Sequence, residues 1–190
     1  ERILALKRRE AILRDSGAYR VARPLVARGP DLDLVSVTQG HYRIGSRGDP
    51  FAFDNELPPQ AVELSSFRIA RRPVSNAEML GFVEAGGYAH SALWDAPGRQ
   101  WLERVEPRPE APLGWRQDPA GQWYEINLNG PADLPPDQPA SGLNRHEARA
   151  FAAWVAGLGG DHAAAVVQHE YQWELATRPG LLEGTGRAWE

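Results

Sequence analysis

Five histidines, His41, His90, His146, His162 and His169, have the widest chemical reach in this sequence. An iron or zinc site built from three of them needs their imidazoles to converge. None stands in HxxxH, HExxH or HxH spacing, the patterns that put two rings on one face of a local element. His162 and His169 are separated by a loop, so only the fold could bring them to one metal. Cysteine is absent, which removes a thiolate nucleophile, thiolate zinc and a disulfide framework. No GxSxG elbow occurs, and Ser75 and Ser141 have helix-cap and turn explanations. The glycines after Ile44 make no phosphate cradle, since neither GxxxxGKS/T nor GxGxxG is present. Glu170 and Glu174 lie four apart on an expected helix and could act as an acid–base pair. Arg178, a further four residues on, makes Glu174 half of a solvated i,i+4 ion pair instead. The triplet Arg47-Gly48-Asp49 is too short a match to carry an argument. Residue types and spacing name no catalytic residue and no metal ligand.

The elements that would position any site follow from periodicity and turn chemistry. Residues 1–15 are good helix formers, with Ile3, Leu6, Ile12 and Leu13 able to share a stripe and Gly17 placed to end the helix. Residues 19–30 read as an extended linker, and a domain boundary, if present, lies there. LVSV and HYRI, within 34–44, are β-prone runs separated by Thr38, Gln39 and Gly40, consistent with a hairpin. VELSSFRI at 62–69 is a third strand whose Ser65-Ser66 pair could shift its facing as a bulge does. Ser75 with Glu78 makes a capping box for a helix burying Met79, Leu80, Phe82 and Val83, stopped at Gly86-Gly87. Residues 88–137 read as irregular, with four tryptophans among prolines and one good strand at 122–128; the tryptophans read as core mass. Asn144 with Glu147 opens another helix, carrying Ala148, Phe151, Ala152 and Val155. HEYQWELATR at 169–178 is a short helix closed by Pro179-Gly180.

A chain of 190 residues is long enough for a real core. The formal net charge of −4 argues against a nucleic-acid surface spread over the domain, the one basic cluster being Arg2, Lys7, Arg8, Arg9 and Arg14. No apolar run reaches membrane-span length and no signal-peptide pattern opens the chain, so a cytoplasmic protein is expected. The chain starts inside a helical pattern without methionine and stops at Trp189-Glu190, which suggests part of a longer protein.

The order of blocks adds a resemblance. GHYRIGSRGDPFAFDNE at 40–56, VELSSFRIARRPVSNAEMLGFVEAGGY at 62–88, LWDAPGRQWL at 93–102 and APLGWRQDPAGQWYE at 111–125 are followed by NRHEARAFAAWV at 144–155, HEYQWELATR at 169–178 and GRAWE at 186–190. The series resembles the formylglycine-generating-enzyme superfamily. The FDNE and LW…W blocks are similar to its ergothioneine sulfoxide synthase branch. The resemblance implies an α+β, irregular and loop-rich C-type-lectin-like fold over 31–190, with short strands and two or three helices. Residues 1–30 would then be the end of a DinB-like helical domain and a linker. It also implies a non-haem iron(II) enzyme that uses O2 to join sulfur or selenium to the imidazole carbon of N-trimethylated histidine, giving ergothioneine or selenoneine. Its partners would be trimethylhistidine, a thiol or selenol donor and O2, with no nucleic acid and no membrane.

The family's iron-binding histidines lie in the preceding helical domain and its catalytic tyrosine region lies after the last block. No site residue carries over, therefore, and the Fe(II) ligands are expected outside these residues. The copper chemistry of the formylglycine-generating enzymes needs cysteine and does not transfer. Val166-Val167-Gln168 stands where the family has Arg-Leu-Pro, which leaves the helix intact and both chalcogen donors open. The competing reading is a non-catalytic ligand- or protein-binding module on the same fold. A third, less favoured, is a structural subunit.

Overall fold

The computed structural model describes residues 2–31, 33–48 and 51–185. Asp49 and the GRAWE block lie outside them. The described residues form a small mixed fold of five α-helices and seven short strands, every ladder antiparallel. The helices are α1 Arg2–Arg14, α2 Asn76–Glu84, α3 Ala96–Arg104, α4 Arg145–Gly157 and α5 Glu170–Thr177. The strands are β1 Leu34–Val37, β2 Gly40–Ile44, β3 Gln60–Leu64, β4 Phe67–Ala70, β5 Trp115–Gln117, β6 Trp123–Asn127 and β7 Gly130–Asp133. They fall into two compact units, Glu1–Asp31 with Val74–Val167 and Leu32–Pro73 with Gln168–Glu190.

In the first unit α2 begins as its residues dictate. The Glu78 carboxylate accepts from the Ser75 amide at 2.8 Å and the Ser75 hydroxyl at 2.6 Å. Its other oxygen accepts from the Asp31 amide at 2.8 Å. Met79, Leu80 and Phe82 are buried as expected, and Val83 is half-buried. In α4, Asn144 Oδ1 accepts from the His146 and Glu147 amides at 2.8 and 3.1 Å, and the helix buries Ala150, Phe151 and Val155. Phe82, fully buried, has its ring centroid 5.6 Å from Tyr88, 5.9 Å from Phe151 and 5.8 Å from Trp154. Trp94 and Trp115 are buried, so both supply the core mass expected of them.

Residues 88–137 are more regular than their composition implies. They hold α3 and the meander β5-β6-β7. The sequence Asp95-Ala-Pro-Gly looks like a breaker, yet Asp95 caps α3 by accepting from the Gly98 amide at 2.8 Å. Pro97 falls in the first turn, where a missing N–H costs nothing. The β5–β6 turn is wound on Asp118, which accepts from the Ala120 and Gln122 amides at 2.9 Å each.

Residues 19–31 are extended, and they are bonded along this unit. Asp133 accepts from the Tyr19 hydroxyl and the Ala22 and Arg23 amides. Asp118 accepts from Val21 and the Ala77 carbonyl from Arg28. The four residues expected to share a stripe on α1 do not share one environment. Ile3, Leu6 and Leu13 are exposed and Ile12 is half-buried, while Arg8 donates to the Leu113 carbonyl at 3.0 Å.

In the second unit the expected LVSV–HYRI hairpin does not form. β1 pairs with β4, from Leu34↔Ala70 to Val37↔Phe67, and β2 with β3, from Gly40↔Leu64 to Ile44↔Gln60. One register runs through both ladders, so 34–44 and 60–70 are the arms of a single long ribbon. Thr38-Gln39 offers no tight-turn residue pair, and the arms instead part there opposite Ser65-Ser66. At that break the Gln39 amide donates to Ser66 Oγ at 3.0 Å. α5 packs on this ribbon through Ala176, fully buried with Val35 and Ile69.

Candidate functional site

The histidines stand on or beside different elements. His41 is exposed on β2 opposite Glu63. His90 is exposed, and the His146 ring stacks on Trp101 at 5.9 Å. His162 Nδ1 is buried without a hydrogen-bond partner among the described residues. His169 caps α5, its Nδ1 accepting from the Tyr171 amide at 3.2 Å. Among the described residues no group of three or more His, Asp or Glu could hold a metal ion, so the described residues by themselves do not fit an iron site. Ser75 is the helix cap its spacing implied.

The buried titratable pair is one that spacing did not reveal. Tyr88 donates its hydroxyl to Glu147 Oε1 at 2.7 Å, and Glu147 Oε2 accepts from the Asn144 amide at 2.8 Å. Burial pushes the Glu147 carboxyl above its ordinary range, against the opposing pull of the Tyr88 and Asn144 bonds. Burial, then the neighbouring carboxylate, pushes the Tyr88 phenol far up. Tyr124, buried and donating to Asp15 at 2.7 Å, is pushed up to about 12, by burial first and then by that carboxylate.

For Glu147 the pH consequence has a definite sign. An acid whose folded value is raised adds stability that is fully present below its unfolded value of 4.5. That stability is lost as pH rises through the folded value. Urea denaturation of wild type and Glu147→Gln, which cannot ionise, over roughly pH 4 to 8 should show the difference moving against the wild type as pH rises. A difference independent of pH would contradict the assignment.

One open cleft of about 470 Å³ lies in the first unit, lined among others by Val83, Tyr88, Arg108, Glu110 and Trp123. Arg108 donates to the Tyr88 carbonyl at 3.3 Å. With the Tyr88 hydroxyl held by Glu147, the tyrosine here is a structural wall.

In the second unit Glu174 and Arg178 do more than pair in solvent. Arg178 bonds Glu174 and also donates to the Arg43 carbonyl at 2.8 Å and the Gly45 carbonyl at 2.5 Å. Glu174 Oε1 accepts from the Gly45 amide at 2.8 Å. Both peptide groups of Gly45 are thus held by one helix. Gly45 has φ +92°, and a Cβ there would stand 2.7 Å from the Glu56 carbonyl oxygen, so only glycine fits. The i,i+4 spacing of Glu174 and Arg178 was visible in the sequence; their common target was not.

Residues 24–189 match the sulfatase-modifying factor enzyme 1-like domain. The chain belongs to this family. It is 36% identical over 128 residues to a hercynine oxygenase of Mycolicibacterium thermoresistibile, covering 67% of this chain and 26% of that protein. It is 33% identical over 133 residues to a hercynine oxygenase of Mycobacterium tuberculosis, covering 70% and 28%. Over 155 residues it is 34% identical to one of Mycolicibacterium smegmatis, covering 80% and 33%. The chain spans about a quarter to a third of the length of these curated relatives.

Proposed function

We propose that this chain is the sulfatase-modifying-factor-type part of an enzyme that uses iron(II) and O2 to join sulfur or selenium to the imidazole carbon of hercynine, N-trimethylated histidine. The observation that carries the reading is the 33–36% identity to three hercynine oxygenases. The ordered FDNE and LW…W blocks support it and favour the sulfoxide synthase branch. The iron ligands, on this reading, come from a DinB-like helical region outside these residues, and no step is assigned to iron here.

This part contributes a rigid Trp-rich scaffold of C-type-lectin-like type that walls the site. Trp94 and Trp115, both buried, fit that role. Substrates are hercynine, a thiol or selenol donor and O2, with neither nucleic acid nor membrane as partner. No described helix is long and apolar enough to cross a membrane, and we place the enzyme in the cytoplasm.

The test is metal analysis of the full-length protein prepared anaerobically with iron(II), followed by oxygen uptake with trimethylhistidine and a panel of thiols and selenols. Stoichiometric iron and donor-dependent uptake are expected, and the donor that supports uptake identifies the branch. Absence of both would leave a binding module on this fold.

A further inference from the structure

The cleft of the first unit is lined by two opposite charges, Arg108 and Glu110, that form no ion pair with each other or with any other described residue. Its volume is about 470 Å³. Val83 and Tyr88 line it from the end of α2 and the turn that follows, Arg108 and Glu110 from the segment between α3 and β5, and Trp123 from β6. That segment runs Pro107-Arg108-Pro109-Glu110-Ala111-Pro112. Each proline fixes its own φ and confines the residue before it to extended backbone. Arg108 therefore has little backbone freedom left to lose when a ligand arrives. Its Nη2 donates to the Tyr88 carbonyl at 3.3 Å, which ties the segment to the turn after α2. A guanidinium carries five N–H donors, and this is its one acceptor among the described residues. Trp123 and Val83, both half-buried, add apolar surface, and the Trp123 ring is backed by buried Trp115 with centroids 6.0 Å apart. A cation and an anion without partners, in one cavity with an apolar wall, match the charge pattern of a small zwitterion with an apolar side chain.

We propose that this cleft is a binding site for an α-amino acid with an apolar side chain. Arg108 takes the α-carboxylate with its forked N–H groups, Glu110 accepts from the primary α-ammonium, and Trp123 and Val83 receive the side chain. Arg108 and Glu110 are both exposed, so each contact is modest and the affinity falls on the order of millimolar. The site is independent of the hercynine reading, and its chemistry selects against that molecule. A primary ammonium offers N–H donors to Glu110, whereas a trimethylated nitrogen offers none.

The experiment titrates the full-length protein and its Arg108→Gln and Glu110→Gln variants with four probes, read by saturation-transfer NMR. The probes are L-phenylalanine, its N-trimethylated form, phenethylamine, which lacks the carboxylate, and 3-phenylpropionate, which lacks the ammonium. Wild type is expected to bind L-phenylalanine most tightly and each of the other three roughly three- to fivefold more weakly. Arg108→Gln should weaken L-phenylalanine and 3-phenylpropionate by about that factor and leave phenethylamine unchanged. Glu110→Gln should weaken L-phenylalanine and phenethylamine and leave 3-phenylpropionate unchanged. Both substitutions stand at exposed positions, and an unchanged Tm shows that the fold is kept. No binding of L-phenylalanine by the wild type overturns the site. Binding that neither substitution alters lies elsewhere and overturns it equally. Trimethylated phenylalanine bound as tightly as the primary amine overturns the role of Glu110, and losses that do not follow the missing charge overturn the pairing of each residue with its ligand group. None of these outcomes depends on oxygen uptake, so failure here and failure of the proposed reaction are separate results.

Discussion

Replacing Glu78 by alanine is expected to remove about 3–5 kcal/mol of stability, counting two orphaned amides and a hydroxyl that loses its charged acceptor. The carboxylate is 2% exposed and serves three donors: the amide and hydroxyl of Ser75 and the amide of Asp31. Alanine therefore undoes the N-terminus of α2 and the end of the 19–31 segment together. Glu78→Gln keeps one acceptor oxygen and should cost roughly 1–2 kcal/mol. Urea denaturation with an unchanged m-value is the measurement. A loss below about 1 kcal/mol for alanine would mean that water replaces all three bonds.

Phe82→Ala is expected to cost about 3–5 kcal/mol. Its ring is fully buried and meets Tyr88, Phe151 and Trp154, so truncation leaves a cavity walled by aromatic groups that cannot collapse without leaving their own contacts. Phe82→Leu should cost roughly 1–2 kcal/mol, the part due to lost ring pairing and partial filling. Denaturation followed by tryptophan fluorescence reads both. Equal effects of leucine and alanine would show that ring shape, rather than filled volume, decides stability there.

What was legible in the sequence was local. Ser75 with Glu78 and Asn144 with Glu147 named two helix starts because capping is settled within four residues, and both starts stand in the structure. Strand pairing was not legible. LVSV and HYRI are neighbours in the chain, yet each finds its partner beyond the loop at 45–59, and the choice is made by register along the whole ribbon. The helix α3 was hidden because Pro97 and Gly98, breakers inside a helix, are harmless in its first turn under the Asp95 cap. The exposed stripe of α1 shows the opposite error. Ile3, Leu6 and Leu13 have the spacing of a buried face, and spacing alone does not say what covers it.

The candidate site was less legible still. Glu174 and Arg178 could be read as an ion pair, but Gly45 lies over a hundred residues away in sequence, and nothing local announces it as their target. Tyr88 and Glu147 are likewise joined only by the fold. The order of sequence blocks supplied the family, and the match over residues 24–189 bears it out. The reaction itself is a proposal, supported by the identity to three hercynine oxygenases.

The most direct test follows the imidazole of trimethylhistidine by proton NMR and mass spectrometry during aerobic incubation with the iron-loaded full-length protein and each donor. The account predicts loss of one imidazole C–H resonance and a product carrying the donor's sulfur or selenium, only when iron, O2 and that donor are all present. Trimethylhistidine recovered unchanged from every such mixture, with the protein folded and iron-loaded, would contradict it.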